Sequence, residues 1–496
     1  MDRPPLHVFV RELLEHERLQ AFADALPARA RVSEPILPLL LATLHELLER
    51  PLVCLVPEDA DARDAAEAAA WFLGGERVAL LPGRGVRWDS GLEPPPHLVG
   101  ERARALDVLA DGGLVFASAT ALAEGVPPPA ARPEPVRLEV GAEPGIESLA
   151  EALALAGYER VDRAEERGQF AVRGGLLDVF PTTGREPLRV ELFGDEIEAV
   201  RAFSPFTQRA LHPVEAAVVH PAVERRPDLA EPTLPEDDWG ETPPPPKVPD
   251  DLVLVLDRAP DFVWQPDEVR RVWEEEGLGP VGLKGVSELD PFPQAQPHSF
   301  EAQRPAIAAR GLAEAENELA GFVRGGNRVV VAFPHRGEAL RTQNLLRKVE
   351  AETLDPEDGL PADPALIFAV APARRGFVWR ELGLVLLPDT QVFRKRPPRA
   401  DQRLGRALAS FADLRTGDYV VHEDHGVGKL LGFETKEVGG VTRDYLFLAF
   451  RGEDRLYIPH EQLGKVSRYI GADATAPALS KLGGKAWQNL KARARE

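Results

Sequence analysis

The densest gathering of metal-ligand types in the chain is VHEDHG at 421–426, where His422 and His425 flank Glu423 and Asp424. A metal centre needs three or four convergent ligands of fixed geometry. In a tight turn between strands, side chains three positions apart need not converge, so this run reads as a structural turn. Phosphate chemistry would need GxxxxGK[ST], whose backbone amides, lysine and hydroxyl hold phosphate and magnesium. The two Gly-Lys pairs, GKL at 428–430 and GKA at 484–486, lack both the hydroxyl and the preceding glycine. No GxGxxG follows a strand. The apolar run LVCLVP (52–57) passes straight into PEDADARD, an acidic turn that repels phosphate. No Ser/His/Asp or Cys/His set stands out. The side chains best suited to chemistry are therefore those that bind. Arg173, Arg189 and Phe193 are of the types that dominate protein interfaces.

Two strand-like segments would carry such binding: 173–193, RGGLLDVFPTTGREPLRVELF, and 418–468, which opens DYVVHEDHGVGKLLG and closes LYIPHEQLGKVSR. Both alternate apolar and polar residues and place glycine at turns. If 176–180 pairs with 188–193, then Arg173, Arg189 and Phe193 share one side; composition alone also allows a solvated arginine and a core phenylalanine. In DYLFLAF (444–450) both faces are apolar, so one is buried and the other covered, and an edge strand of this kind can extend a partner's sheet. A plain small barrel with all these residues in its core is the other reading.

Around these segments the chain alternates helix and strand. Helical spacing over 38–50 precedes a strand at 52–57. An alanine-rich helix at 59–73 ends at Gly74–Gly75, and strands at 77–82 and 113–118 bracket a helix at 100–110. That alternation predicts a parallel α/β sheet. A helix at 148–158 belongs to a smaller α+β unit. A strand at 251–257 and a helix at 266–277 follow. A further small α/β unit has strands at 328–333, 366–370 and 382–388 and a helix at 336–351. The proline-rich, acidic run 231–250 and the basic run 393–403 read as linkers.

At 496 residues, 44% hydrophobic and 28% charged, the chain is expected to hold several globular domains. One cysteine, Cys54, excludes a disulfide framework and paired-cysteine metal sites. No run reaches a membrane span and no leader is evident, so a cytoplasmic protein with no membrane contact is expected. Arginine outnumbers lysine 49 to ten, and proline is common. This fits a GC-rich genome or a thermophile. The net charge of −21 is uneven: residues 391–496 hold 19 Lys and Arg against 13 Asp and Glu, and the first 390 hold 40 against 67. Non-specific DNA binding needs clustered cations, so any nucleic-acid contact belongs to the C-terminal quarter or to a partner.

The run GQFAVRGGLLDVFPTTGREPLRVELFGDEIEAVRAFSPFTQRAL (168–211) resembles the second domain shared by UvrB and the Mfd family, the bacterial transcription-repair coupling factors. That resemblance implies a UvrA-binding domain, with Arg173, Arg189 and Phe193 at the family's contact positions. UvrB would add a nucleotide loop and a tyrosine-rich hairpin. The corresponding GRGVRWDSGLEPPPHLVG (83–100) has no tyrosine, which favours the Mfd family. The pieces GDYVVHEDHGVGKLLGF (417–433), DYLFLAFRGEDRLYIP (444–459) and EQLGKVSRYIG (461–471) resemble the RNA-polymerase-interacting domain shared by that family and CarD. This implies a small bent Tudor-type barrel that grips the polymerase β subunit, with the contact expected at Arg443, Tyr445, Leu446 and Leu448.

The implied fold is multidomain α/β. A degenerate UvrB-like domain with a parallel sheet (1–133 and 213–312) is interrupted by the UvrA-binding domain (134–212). A small α/β domain of unknown role (313–400), the polymerase-interacting barrel (414–475) and the start of a linker helix (476–496) follow. The basic tail 479–496 stops as a helix begins, so the natural chain is expected to continue into the family's ATP-driven motor. ATP and magnesium, and most DNA contact, belong to that motor. The chain itself is expected to be a non-enzymatic adaptor, monomeric, with no cofactor or metal. A CarD-like transcription regulator and a UvrB-like repair helicase are the alternative functions.

Overall fold

The computed structural model describes residues 3–184, 186–205, 208–229, 248–253, 261–275, 285–291, 296–307, 309, 311–393, 419–422, 425–438, 441–452, 454–459, 466–468 and 479–480. The linker 231–247, the strand expected over 251–257 beyond Val253, the basic run 394–403, the exit 461–465 and the tail 481–496 lie outside them. The chain divides into two compact units, one of 1–132 with 231–395 and one of 133–230 with 396–496.

The first unit holds an all-parallel seven-stranded sheet in the order 298–300, 29–32, 287–290, 262–264, 52–56, 114–118, 78–81. Its central strands, Leu52–Val56 and Leu114–Ser118, are buried at every position, as a sheet covered on both faces requires. Burial pushes the Cys54 thiol pKa up. Helix Asp59–Leu73 starts with Asp59 and Asp61 against its positive end and stops at Gly74, whose φ of 97° suits glycine. A second sheet runs 351–353, 366–370, 328–333, 384–388 in parallel, with 377–379 antiparallel at its edge. Helix 336–351 is shorter than expected: it ends at Leu345, and Ala351–Thr353 is a strand.

The two sheets share one core, although each also has a cluster of its own on its other face. Phe9 meets Phe72 and Phe377 edge-on at 6.3 and 5.5 Å, and Phe300 meets Trp379 at 6.5 Å. Backbone bonds join Gln303 to Val378, and Arg328 pairs with Glu12 at 2.7 Å. Arg375 pairs with Asp64 and Glu34, and Arg374 with Glu67. Residues of the second sheet between Val330 and Leu386 therefore share one apolar cluster with the N-terminal residues.

In the second unit, residues 133–230 form a six-stranded sheet, 210–214, 196–203, 188–193, 176–180, 169–173, 159–160. It is antiparallel except at its last pair. Strands 136–139 and 216–219 pair beside it, and helix Ile146–Leu155 covers one face through Leu149 and Leu153. C-terminally, strands 455–459, 441–449, 426–438, 419–422 and 466–468 make an antiparallel sheet. The mixed α/β class with a parallel sheet and a C-terminal antiparallel sheet agrees with the sequence reading.

Candidate partner-binding sites

The hairpin joining 169–173 to 176–180 turns on Gly174–Gly175. Gly174 has φ 60°, and a Cβ on Gly175 would lie 2.9 Å from the Leu192 carbonyl, so both glycines are required. The turn from 176–180 to 188–193 holds Gly184, φ 91°, and the turn from 188–193 to 196–203 holds Gly194, φ 64°. The resulting register pairs Arg173 with Leu176, Asp178 with Arg189, and Leu176 with Glu191. Side chains alternate along strands, so Arg173, Asp178, Arg189 and Phe193 all stand on one face. Leu177, Val179 and Val190 stand on the other, inside the core.

Asp178 organises that face. It is 3% exposed, and both its oxygens accept from Arg189, from Nε at 2.7 Å and Nη2 at 2.8 Å. Arg173 Nη2 donates to the same carboxylate at 3.2 Å. Arg189 also donates to the side-chain oxygen of Gln208 at 3.1 Å and lies 4.7 Å over the buried ring of Phe203. The hydrogen bond to Asp178 raises the already high pKa of Arg189. The two arginines differ in access: the Arg173 side chain is 54% exposed and that of Arg189 is 22%. Phe193, 80% exposed, is the most exposed large apolar residue described. Sequence reasoning missed Asp178, because a lone acid in an alternating strand reads as solvated. Its signal was parity: Asp178 falls on the arginine face.

In the C-terminal sheet the strand holding DYLFLAF is paired on both sides, with 426–438 and with 455–459. The expectation of an edge strand is thus corrected: residues apolar on both faces also suit a central strand, and here both flanks find partners. The edges are 455–459 and 466–468. Leu446 and Leu448, expected as contacts, are wholly buried with Val420, Leu430, Phe450 and Ile458, so their side chains face inward. Tyr445 and Phe447 face the other way and are partly covered. Phe447 stacks on Tyr457 at 4.7 Å, and the Lys436 ammonium lies 3.3 Å from the Tyr457 ring centre. Arg443 pairs with Lys436 through the backbone; its side chain lies outside the described set.

His422 is buried at the end of strand Tyr419–His422. Its ring lies 4.6 Å from that of His425, whose amide donates to the His422 carbonyl at 3.3 Å. Glu423 and Asp424 are outside the described residues. Among the described residues no three His, Cys, Asp or Glu gather as a metal site.

Where an α/β sheet would hold phosphate, at the carboxyl ends of its strands, there is a cleft of about 520 Å³. Glu58, Asp59, Glu124 and Glu275 line it against Arg87. Both Asp59 oxygens accept from the Gly83 amide at 3.0 Å, so the helix start carries its own carboxylate. The loop that follows is folded down. Arg84 stacks on Trp88 at 3.6 Å, Trp88 Nε1 donates to the Glu124 carbonyl, and buried Arg102 donates to the Pro82 and Gly125 carbonyls.

Residues 136–224 match the family described as UvrB interaction domain, and residues 414–470 match the CarD-like/TRCF RID domain. The chain is 30% identical to the transcription-repair-coupling factor of Mycobacterium tuberculosis, an alignment covering 97% of this chain and 47% of that protein. It is 28% identical to that of Myxococcus xanthus (92% and 46%) and 26% identical to that of Bacillus subtilis (80% and 41%). The chain spans about half the length of the curated relatives it matches.

Proposed function

We propose, from the premise that this chain is related along 97% of its length to transcription-repair-coupling factors and carries their UvrB interaction and RID domains, that it is an adaptor. It joins stalled RNA polymerase to the nucleotide-excision machinery in the cytoplasm. The 136–224 domain recruits UvrA through Arg173, Arg189 and Phe193. The C-terminal sheet, read as a small bent barrel, takes the polymerase β subunit by extending an edge strand, with Tyr445 and Arg443 beside that contact. The chain acts as a monomer and turns over no ATP. In the whole protein, ATP and magnesium serve a motor that moves along DNA.

The observation that carries this reading is the arginine–aspartate cluster beside exposed Phe193. Arg and aromatic anchors, pre-arranged on a rigid sheet, are what an interface hot spot needs. If the whole protein hides this face against its own C-terminal part, the present chain binds UvrA more tightly than full length does. The test is capture of purified UvrA and of a polymerase β fragment by wild type and by Arg173→Ala/Arg189→Ala. Selective loss of UvrA is expected; undiminished UvrA capture would return both arginines to solvated surface. Weak UvrA binding equal to that of full length would remove the hidden-face idea. Measurable ATP hydrolysis by the chain would refute the non-enzymatic assignment.

A further inference from the structure

The two arginines of the 136–224 face are not equivalent. Arg189 spends its donors inside the protein: Nε and Nη2 on Asp178, Nη2 again on the Gln208 side chain, and Nη1 on the Gln208 carbonyl at 3.4 Å. Among the described residues Arg173 makes a single polar contact, through Nη2 to Asp178 at 3.2 Å, and its side chain is more than half exposed. Gln208 is one of three non-glycine residues described with positive φ, at 61°, a conformation costly to any residue with a side chain. It is braced there by its own amide, which donates to the Pro205 carbonyl at 2.9 Å, and by its backbone N–H on Ser204. Asp178 and Gln208 thus grip one guanidinium from two sides, over the ring of Phe203.

We infer that Asp178 is the positioning residue of this face, with Gln208 as its brace, and that the two assign different tasks to the arginines. Arg189 is held fixed, an immobile charge that needs no reorganisation when the partner arrives. Arg173 is the movable arm: it leaves its one contact and forks onto a carboxylate of the partner. Asp178 loses little by this, because Arg189 still satisfies both its oxygens. The surface that fits is therefore acidic, with an apolar recess beside it for Phe193. This inference rests on reading the face as the UvrA-binding surface.

The test is titration of UvrA against the full chain as wild type, Arg173→Ala, Arg189→Ala, Asp178→Asn and the Asp178→Asn/Arg189→Ala pair. Asp178→Asn should weaken binding roughly ten- to hundredfold, the scale of charged hydrogen bonds. It should weaken it little further once Arg189 is gone, since its role runs through that residue. Equal loss in both backgrounds would make Asp178 merely structural and overturn the inference. So would wild-type affinity of Asp178→Asn beside a weakened Arg189→Ala. Wild-type affinity of Arg189→Ala would instead overturn the binding face itself, and this inference with it. Should Asp178→Asn not fold, Gln208→Gly gives the same decision. Glycine accepts φ 61°, so the backbone and its carbonyl stay and only the side-chain part of the grip is lost. A several-fold weakening at unchanged melting temperature is expected, and unchanged affinity would overturn the brace.

Discussion

Removing Arg189 should loosen its sheet far more than removing Arg173, although both carry the same charge. Arg189→Ala strips Asp178, 3% exposed, of its two shortest bonds and uncovers the Phe203 ring. Breaking a buried ion pair from one side costs about 3–5 kcal/mol. Here Arg173 stays within 3.2 Å and Arg189 is itself partly solvated, so the pair loss falls to about 2–3 kcal/mol on the same scale. The lost cation–ring contact adds about 0.5–1 kcal/mol, for a total near 3 kcal/mol, or about a hundredfold in an equilibrium constant. Arg173→Ala removes one part-buried contact from a half-exposed side chain, leaves Asp178 held by Arg189, and should cost about 0–1 kcal/mol. Hydrogen exchange of the full chain reads this locally, from amides of Leu176–Phe180 and Leu188–Phe193, which open by their own free energy. Protection there should drop about a hundredfold in Arg189→Ala and hardly change in Arg173→Ala. Adding Asp178→Asn to Arg189→Ala should restore part of it, because the orphaned group is then neutral. Equal loss in the two single variants, or no recovery in the pair, would refute the account of Asp178.

Three further expectations follow from burial and exposure. Phe193→Ala, at a position 80% exposed, should leave the melting temperature within error while weakening UvrA binding at least tenfold; a loss of stability would place the ring in a packed environment. His45 donates from Nε2 to the Gly112 carbonyl at 2.7 Å and accepts at Nδ1 from Arg77 at 3.3 Å, so it is neutral. Burial, with the Arg77 charge, lowers its pKa below 6.5; its contribution is full above 6.5 and is lost as pH falls from there toward the depressed folded value. Denaturation midpoints between about pH 7 and pH 5 should therefore fall less steeply in His45→Gln than in wild type. Cys54, wholly buried with its thiol pKa raised, should resist maleimide in the native chain and react after unfolding; native labelling would show the central strand to be open.

Local punctuation made much of the fold legible. Acids at a helix start and paired glycines at its end bounded 59–73, and five-residue apolar runs marked the central strands. The pairing of 176–180 with 188–193 was readable because glycines stand at the turns and the period is two. What was not readable depended on distant partners. Both faces of 444–450 are apolar whether the strand is central or at an edge, so burial of Leu446 and Leu448 appears only once the neighbours are in place. Asp178 changes from a solvated acid to the hub of a face only through two arginines on separate strands. Likewise, the segment 313–400 looks self-contained in its strands and helices, yet its strand Phe377–Trp379 joins a core begun by Phe9.

The place of strand Arg29–Val32 sets a clock on the chain's synthesis. Both its neighbours, 287–290 and 298–300, emerge about 260 residues after it. At roughly 5–20 residues per second, that interval is some ten seconds to a minute. Throughout it, the unpaired strand and the apolar helices around Phe9 and Phe22 stand without the partners that will bury them. The intervening 133–230 segment, whose strands pair among themselves, can finish folding in that time. The nascent chain thus carries a completed module on an open sheet, and the order in which its parts become safe from aggregation is not the order in which they are made.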